Sequence, residues 1–459
     1  MKKFLIAFAT VAVAAVMLFC GCTPNDGKDG RDGRDGKDVT ITEVYEKYVE
    51  EYGEISFADF LKEYLSYTND DLEGAASLQT TVNKSLLSGV SILSRFAYGS
   101  SGSGLFPNLP SSKTSYKVFS GSGVILWLDK EKGDAYIATN RHVVYDDTSS
   151  SKFCEDIRLY LYGQDVNGVN YQVDTYYNIT GDENYRIKAE IVGASVDYDV
   201  ALLKVENSEV IKRSGAVAAK FSTERDVYVG ETVYAVGNAS GEGISASNGI
   251  ISKDSEQIEV SLSDYDPDDY NAYRVMRTTA AINHGNSGGA LYNSKGEIVG
   301  LVNAKDDSED VDNMGYVLPA NNVRRILKLM YDNYVANGNR MLSGGGVKKV
   351  YPNIRTGVSD AYSVYNEQTG RAEIIEKIKV VGVDGSPSSG KLQVGDELVS
   401  VKLSSSDGKV LEEQRVTRSY HVSELLFSAR VGDTLTLTVI RDGADVDVSI
   451  TFSSENSIK

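Results

Sequence analysis

Three side chains could together carry out nucleophilic chemistry: His142, Asp199 and Ser287. A serine hydroxyl is a poor nucleophile near neutral pH. It needs a base within hydrogen-bond reach, and an imidazole base needs a carboxylate to hold its tautomer. His142 lies in Thr139-Asn140-Arg141-His142-Val143-Val144, at the end of an apolar run. Asp199 lies in Asp197-Tyr198-Asp199-Val200-Ala201-Leu202-Leu203, at the start of another. Asp197 sits two residues earlier on the same face of a strand. Asp199 is preferred because it directly precedes Val200-Ala201-Leu202, but Asp197 stays open as the alternative. Ser287 lies in Gly285-Asn286-Ser287-Gly288-Gly289. Glycines there let the backbone turn sharply and aim the N–H groups of Gly285, Asn286 and Ser287 at one point, where a substrate oxyanion would form.

Positioning three distant residues takes a scaffold, and the pattern around them is β-rich. Val124 to Leu128, Ala135 to Thr139, Ala201 to Val205, Thr232 to Val236 and Ile298 to Val302 are short apolar runs separated by Gly, Asn and Asp. From about Thr80 to Tyr334 this predicts a barrel or sandwich. Asp146 to Asn184 is Tyr-rich and irregular, an insertion between His142 and Asp199. Asn321 to Tyr334 has Val323, Ile326, Leu327 and Met330 at helical spacing and predicts a closing helix. Asn337 to Lys348 is a Gly-rich linker. Beyond it, Val350 to Phe452 is a second β-rich unit with one helix near Val422 to Ala429.

Composition bounds the function. With 459 residues the chain is long enough for two or three domains, and 41% hydrophobic against 24% charged residues excludes wholesale disorder. A net charge of −18 argues against a general nucleic-acid binder, which needs a basic face. Three His and three Cys argue against a multi-His metal cage or a disulfide framework, so no metal or cofactor is expected. Lys2 and Lys3 precede an apolar run from Phe4 to Phe19, shorter than the roughly 20 residues that span a bilayer, which predicts a secretory signal. Cys154 is expected to be a buried structural thiol. Gly27 to Asp38 repeats every three residues without Pro and predicts a solvated spacer, since four triplets cannot hold a triple helix. Thr42 to Tyr67 has helical spacing broken at Gly53, with a capping box at Ser56-Phe57-Ala58-Asp59.

The order His, Asp, Ser is one of those found on double-β-barrel proteases. Ser120-Gly121-Ser122-Gly123-Val124-Ile125, Thr139 to Val144, Asp199 to Val205, Ala235-Val236-Gly237-Asn238 and Thr279 to Leu291 together resemble the HtrA/Deg serine proteases. Gly21-Cys22 resembles the lipobox of bacterial lipoproteins, which implies acylation at Cys22. Gly382 to Val401 and Val431 to Gly443 resemble PDZ domains. Three departures stand out: His284 where the family usually has Pro, Arg141 before the histidine, and a longer stretch between His142 and Asp199.

The resemblance implies a mainly β chain, a chymotrypsin-like double β-barrel followed by an α+β PDZ domain. It divides as 1–22 signal, 23–79 spacer and helical stalk, 80–340 protease and 345–455 PDZ. It implies a membrane-tethered extracytoplasmic endoprotease that cleaves unfolded or damaged proteins, without cofactor. A homotrimer is common in that family. In double-barrel proteases the residues just before the nucleophile floor the specificity pocket. Ala281 and Ile282 hold that place here, with Leu301 and Val302 expected as the opposite wall; an uncharged pocket implies cleavage after small or medium apolar residues. PDZ domains add an extended peptide as a strand and hold its terminal carboxylate with loop amides. Thr356, Gly357 and Val358 stand where that loop is expected, and His421 lies near the groove helix. The competing reading is a catalytically silent scaffold or chaperone-like binding protein on the same fold.

Overall fold

The computed structural model describes residues 49–50, 69–99, 114–166, 169–195, 197–223, 227–261, 270–305, 314–454 and 457–458. The signal run, Cys22 and the spacer lie outside these residues, as does all but 49–50 of the helical stretch expected over 42–67. The chain divides after Thr80 into two compact units. Helix α1 (Asn69–Leu86) occupies the stretch where strands were expected to begin, so β structure starts at Gly89 instead.

The first sheet is built from β1 (Gly89–Tyr98), β2 (Ser115–Asp129), β3 (Asp134–Thr139), β4 (Asp156–Leu161), β7 (Ile187–Lys188), β8 (Glu190–Ser195) and β9 (Val200–Val205), in the order β7-β4-β1-β2-β3-β9-β8. Val90 and Ile92, then Ala201, Leu203 and Val205, recur two apart and send alternate side chains to one face. Ile187 on one edge strand and Ala194 on the other share that core, so the sheet rolls into a barrel. The insertion adds only a small ribbon, β5 (Tyr171–Val173) with β6 (Ile179–Gly181), and buries Tyr171 and Ile179 against Leu93 and Tyr160.

After a short helix, α2 (Glu209–Arg213), the second barrel uses β10 (Lys220–Phe221), β11 (Thr232–Gly237), β12 (Ser245–Ser261), β13 (Tyr270–Thr278), β14 (Ala290–Asn293), β15 (Glu297–Lys305) and β16 (Gly315–Pro319). It closes completely: β14-β11-β12-β13-β16-β15, with β15 pairing again with β14. Helix α3 (Ala320–Ala336) follows directly, as the spacing of its apolar residues predicted. It buries Val323, Ile326, Leu327 and Met330 in a core shared with Val124, Val200 and Leu202 of the first barrel and Val236, Ala290 and Leu301 of the second. Each such side chain contributes about 1.5–3 kcal/mol on burial, so this shared core fixes the two barrels against each other.

The C-terminal part is α+β. β17 (Lys349–Val350) pairs with β24 (Ser457–Ile458). β18 (Ile354–Asn366), β19 (Arg371–Val383), β20 (Glu397–Ser404), β22 (Thr434–Arg441) and β23 (Ala444–Thr451) lie in that order, with β21 (Val410–Arg415) on β20. Helix α4 (His421–Leu425) runs into a 3-10 turn, Leu426–Ser428. The mainly β double barrel and α+β C-terminal unit expected from the sequence are therefore what the chain forms.

Candidate active site

β3 delivers His142 into a one-turn 3-10 helix, Arg141–Val143. β9 begins one residue after Asp199, and β3 pairs with β9 from Thr139↔Ala201 onward, so the two turns meet at one end of the first barrel. His142 Nδ1 lies 2.6 Å from Asp199 Oδ2, and the His142 backbone N–H donates to Asp199 Oδ1 at 2.9 Å. Asp199 has φ +47, a left-handed conformation uncommon for a non-glycine residue. Its carbonyl accepts from the Arg141 N–H and from Asn140 Nδ2, which hold that backbone in place. Desolvation disfavours a charged His142, whose side chain is half-exposed, but the Asp199 carboxylate outweighs it and the ring titrates above its ordinary value, with Arg141 opposing. Asp197 does not compete for the histidine: its carboxylate pairs with Lys349 Nζ at 2.8 Å.

Ser287 sits in the turn that enters β14. Its hydroxyl donates to the Asn303 carbonyl at 2.9 Å, and no hydrogen bond joins it to His142. A rotation about its side chain must precede proton transfer, as is common before substrate binds. Two glycines shape the turn. At Gly285, φ +92, a Cβ would come within 2.3 Å of the Asn238 carbonyl; at Gly288, φ +85, within 2.2 Å of the Ser122 carbonyl. Among the described residues, neither the Gly285 nor the Ser287 N–H has a hydrogen-bond partner. The Asn286 N–H donates to the Asn283 carbonyl at 3.0 Å. This corrects the expected set of three donors: the tight turn uses up the middle one, and Gly285 and Ser287 remain. His284 is exposed, and its carbonyl accepts from the Ser240 N–H at 2.7 Å.

Three buried polar residues that sequence reasoning assigned no role hold this site together. Ser122, in the quoted Ser-Gly-Ser-Gly motif, donates from its N–H to the Ser287 carbonyl (2.8 Å) and from its hydroxyl to the Gly285 carbonyl (2.5 Å). Asn303 donates from Nδ2 to Asp199 Oδ2 at 2.7 Å, and Tyr273 donates its hydroxyl to Asn303 Oδ1 at 3.1 Å. Asn303 follows the apolar run of β15, and only the structure shows its amide buried among polar partners.

Three of the four expected pocket residues lie in cores, and Ala281 does not. Ala281 is exposed, but Ile282 packs with Met276, Val302 and Val317 inside the second barrel. Leu301 points to the inter-barrel core and Val302 to the barrel interior, as alternation along β15 requires. Thr356, Gly357 and Val358 are also not in a loop. They lie within β18, paired with Val380, Lys379 and Ile378, because the hairpin with β19 zips past them. β18 is the edge strand of its sheet, and Val358 is 50% exposed.

The C-terminal unit touches the residue next to Asp199. The Tyr198 hydroxyl donates to Glu424 Oε1 at 3.1 Å and accepts from Asn322 Nδ2 at 2.9 Å. Its ring packs on Phe427, 5.2 Å between centroids. Glu424 also takes both Arg274 Nε and Nη2. Burial pushes the Cys154 thiol up to about 12. Among the described residues, no group of three or more His, Cys, Asp or Glu side chains could hold a metal ion, and no helix is long and apolar enough to cross a membrane.

A hydroxyl linked through Asn303 to an imidazole–carboxylate pair, with two unengaged N–H groups on the same turn, can support acyl transfer. Comparison with known proteins agrees with this chemistry. Residues 121–301 match the trypsin-like peptidase domain. The chain is 28% identical over 350 residues to the serine protease Do-like HtrA of Bacillus subtilis (strain 168), covering 74% of this chain and 65% of that protein. It is thus similar over just under two thirds of that relative's length. It is also 28% identical over 340 residues to the serine protease Do-like HtrA of Lactobacillus helveticus, covering 72% of this chain and 67% of that one. A solved structure of the HtrA-type protease AlgW with tripeptide is 19% identical and superposes with a TM-score of 0.48 over 82% of this chain and 96% of the other.

Proposed function

We propose that the chain is an extracytoplasmic serine endopeptidase of the HtrA/Deg type acting on unfolded or damaged proteins, a reading supported by its similarity to the trypsin-like peptidase domain and to HtrA serine proteases. His142 is the general base, Asp199 fixes its tautomer, and Ser287 is the nucleophile. The N–H groups of Gly285 and Ser287 receive the developing oxyanion. The observation that carries this reading is the convergence at one barrel end: His142 Nδ1 on Asp199 at 2.6 Å, and Asp199 and Ser287 both bonded to Asn303.

The Ser287 hydroxyl leaves the Asn303 carbonyl and passes its proton to His142 Nε2 as its oxygen attacks the scissile carbonyl. Asp199 stabilises the imidazolium that results, and the proton then goes to the leaving amine. Water repeats the sequence on the acyl-enzyme. In the same reading, residues 80–340 form the protease and 345–455 a PDZ domain that captures peptide C-termini along the open edge of β18. Cys22 carries a lipid that tethers the chain to the membrane, and the protease assembles as a trimer.

The test is casein cleavage by the purified protein, compared with Ser287→Ala, together with fluorophosphonate labelling of Ser287. Labelling and cleavage that both vanish in Ser287→Ala support the assignment. A folded wild-type protein that neither labels nor cleaves instead leaves the scaffold reading.

A further inference from the structure

We infer that Asn303, held in orientation by Tyr273, is a positioning residue that sets the Asp199–His142 pair and the resting place of Ser287. It is 2% exposed and ends the apolar run of β15, and its amide nitrogen, amide oxygen and backbone carbonyl are each engaged. Nδ2 donates to Asp199 Oδ2 (2.7 Å), Oδ1 accepts from the Tyr273 hydroxyl (3.1 Å), and the backbone carbonyl accepts from Ser287 Oγ (2.9 Å). One residue therefore touches two members of the triad directly and the third through Asp199.

The orientation of the amide follows from its neighbours. A carboxylate only accepts, so the side of Asn303 facing Asp199 must be the NH2 group. The oxygen then faces Tyr273, whose hydroxyl must donate. Tyr273 is 4% exposed; burial first, and the Asp199 charge second, keep its phenol protonated, so it remains a donor across the working pH range. Flipping the amide would set its oxygen against the Asp199 carboxylate, so Asp199 decides which end faces it, and the Tyr273 hydroxyl anchors the other end by donating to Oδ1. Tyr273 thus holds Asn303 in place, and Asn303 holds Asp199. The titratable and charged groups facing the cluster among the described residues are Asp199, Arg141 and Tyr273.

Oδ2 of Asp199 is shared between Asn303 and His142. Removing the Asn303 donor leaves more of the carboxylate's charge on the imidazolium and frees the carboxylate to rotate. The expected consequences are a higher titration midpoint for His142 and a slower chemical step, with substrate binding little changed.

The inference rests on the proposed acyl-transfer reading only for its kinetic arm. The experiment uses the full chain as Asn303→Ala, Asn303→Ser and Tyr273→Phe, with two readouts: the low-field proton resonance on His142 Nδ1 followed against pH, and kcat and KM on casein. Asn303→Ala should raise the His142 midpoint and lower kcat by about tenfold or more with KM within twofold. Asn303→Ser, which keeps a donor, should recover part of both. Tyr273→Phe should shift both in the same direction by less. A wild-type midpoint in Asn303→Ala, or Asn303→Ser no better than Asn303→Ala, overturns the positioning role. If wild-type protein cleaves nothing, the endopeptidase reading fails, but the resonance still decides the role of Asn303.

Discussion

Replacing Asp199 with Asn keeps the size of the side chain and reverses one of its hydrogen-bonding ends. In the native site both carboxylate oxygens accept: Oδ1 from the His142 backbone N–H, and Oδ2 from His142 Nδ1 and Asn303 Nδ2. An amide cannot reproduce this. With its NH2 at the Oδ1 position, it sets a donor against the His142 N–H. With its NH2 at the Oδ2 position, it opposes Asn303 Nδ2 and forces His142 into the tautomer protonated at Nε2, which cannot take the Ser287 proton. Either choice leaves a donor unsatisfied, at about 1–3 kcal/mol in stability. The second orientation removes base catalysis, and the loss of a correctly held tautomer is about 10⁴-fold in rate, or about 5.5 kcal/mol in the barrier. The expected result for Asp199→Asn is therefore a folded protein with kcat about 10⁴-fold lower on casein. Asp197→Asn should leave kcat within a few-fold, because Asp197 is engaged with Lys349. Near-normal turnover in Asp199→Asn, or a severe loss in Asp197→Asn beside a mild one in Asp199→Asn, would refute the assignment.

The acid limb of the chemical step should lie above pH 6.5, because Asp199 raises the His142 pKa and only the neutral ring can act as base; activity is lost as pH falls through that raised value, and a rate flat from about pH 5 to 8 contradicts it. Glu424→Gln should lower stability by about 3–5 kcal/mol in urea unfolding, because it leaves the buried Arg274 without its carboxylate; an unchanged midpoint removes that ion pair as a support. Cys154 should resist iodoacetamide in the native protein at pH 8, since burial keeps its thiol protonated; labelling as fast as free cysteine contradicts its placement. If Ala281 floors the specificity pocket, as the resemblance to double-barrel proteases implies, cleavage sites mapped by mass spectrometry should follow small apolar residues, because that position carries no acid to pair with a basic side chain. A majority of cuts after Lys or Arg sinks that reading.

The sequence by itself determined the local elements and the identities of the chemical groups. β3, β9, β11 and β15 lay where apolar runs were bounded by turn residues, because a strand and its bounding turns are encoded within a few positions of each other. Helix α3 was legible because Val323, Ile326, Leu327 and Met330 share a face within a few turns. His142, Asp199 and Ser287 were visible because each lies in a short motif with restrictive glycines or apolar neighbours. Tertiary structure decided what depends on partners far away in the chain. That Asp197 is occupied depends on Lys349, more than a hundred residues on. That Leu301 and Val302 fill cores rather than a pocket depends on which sheet faces each side of β15. That Thr356 to Val358 lie in a strand depends on how far the β19 hairpin zips. That Asn303 and Tyr273 support the carboxylate depends on closure of the second barrel beside the first. Hydrogen-bond partners separated by 30 to 150 residues are set by packing, and no local pattern of residues records them.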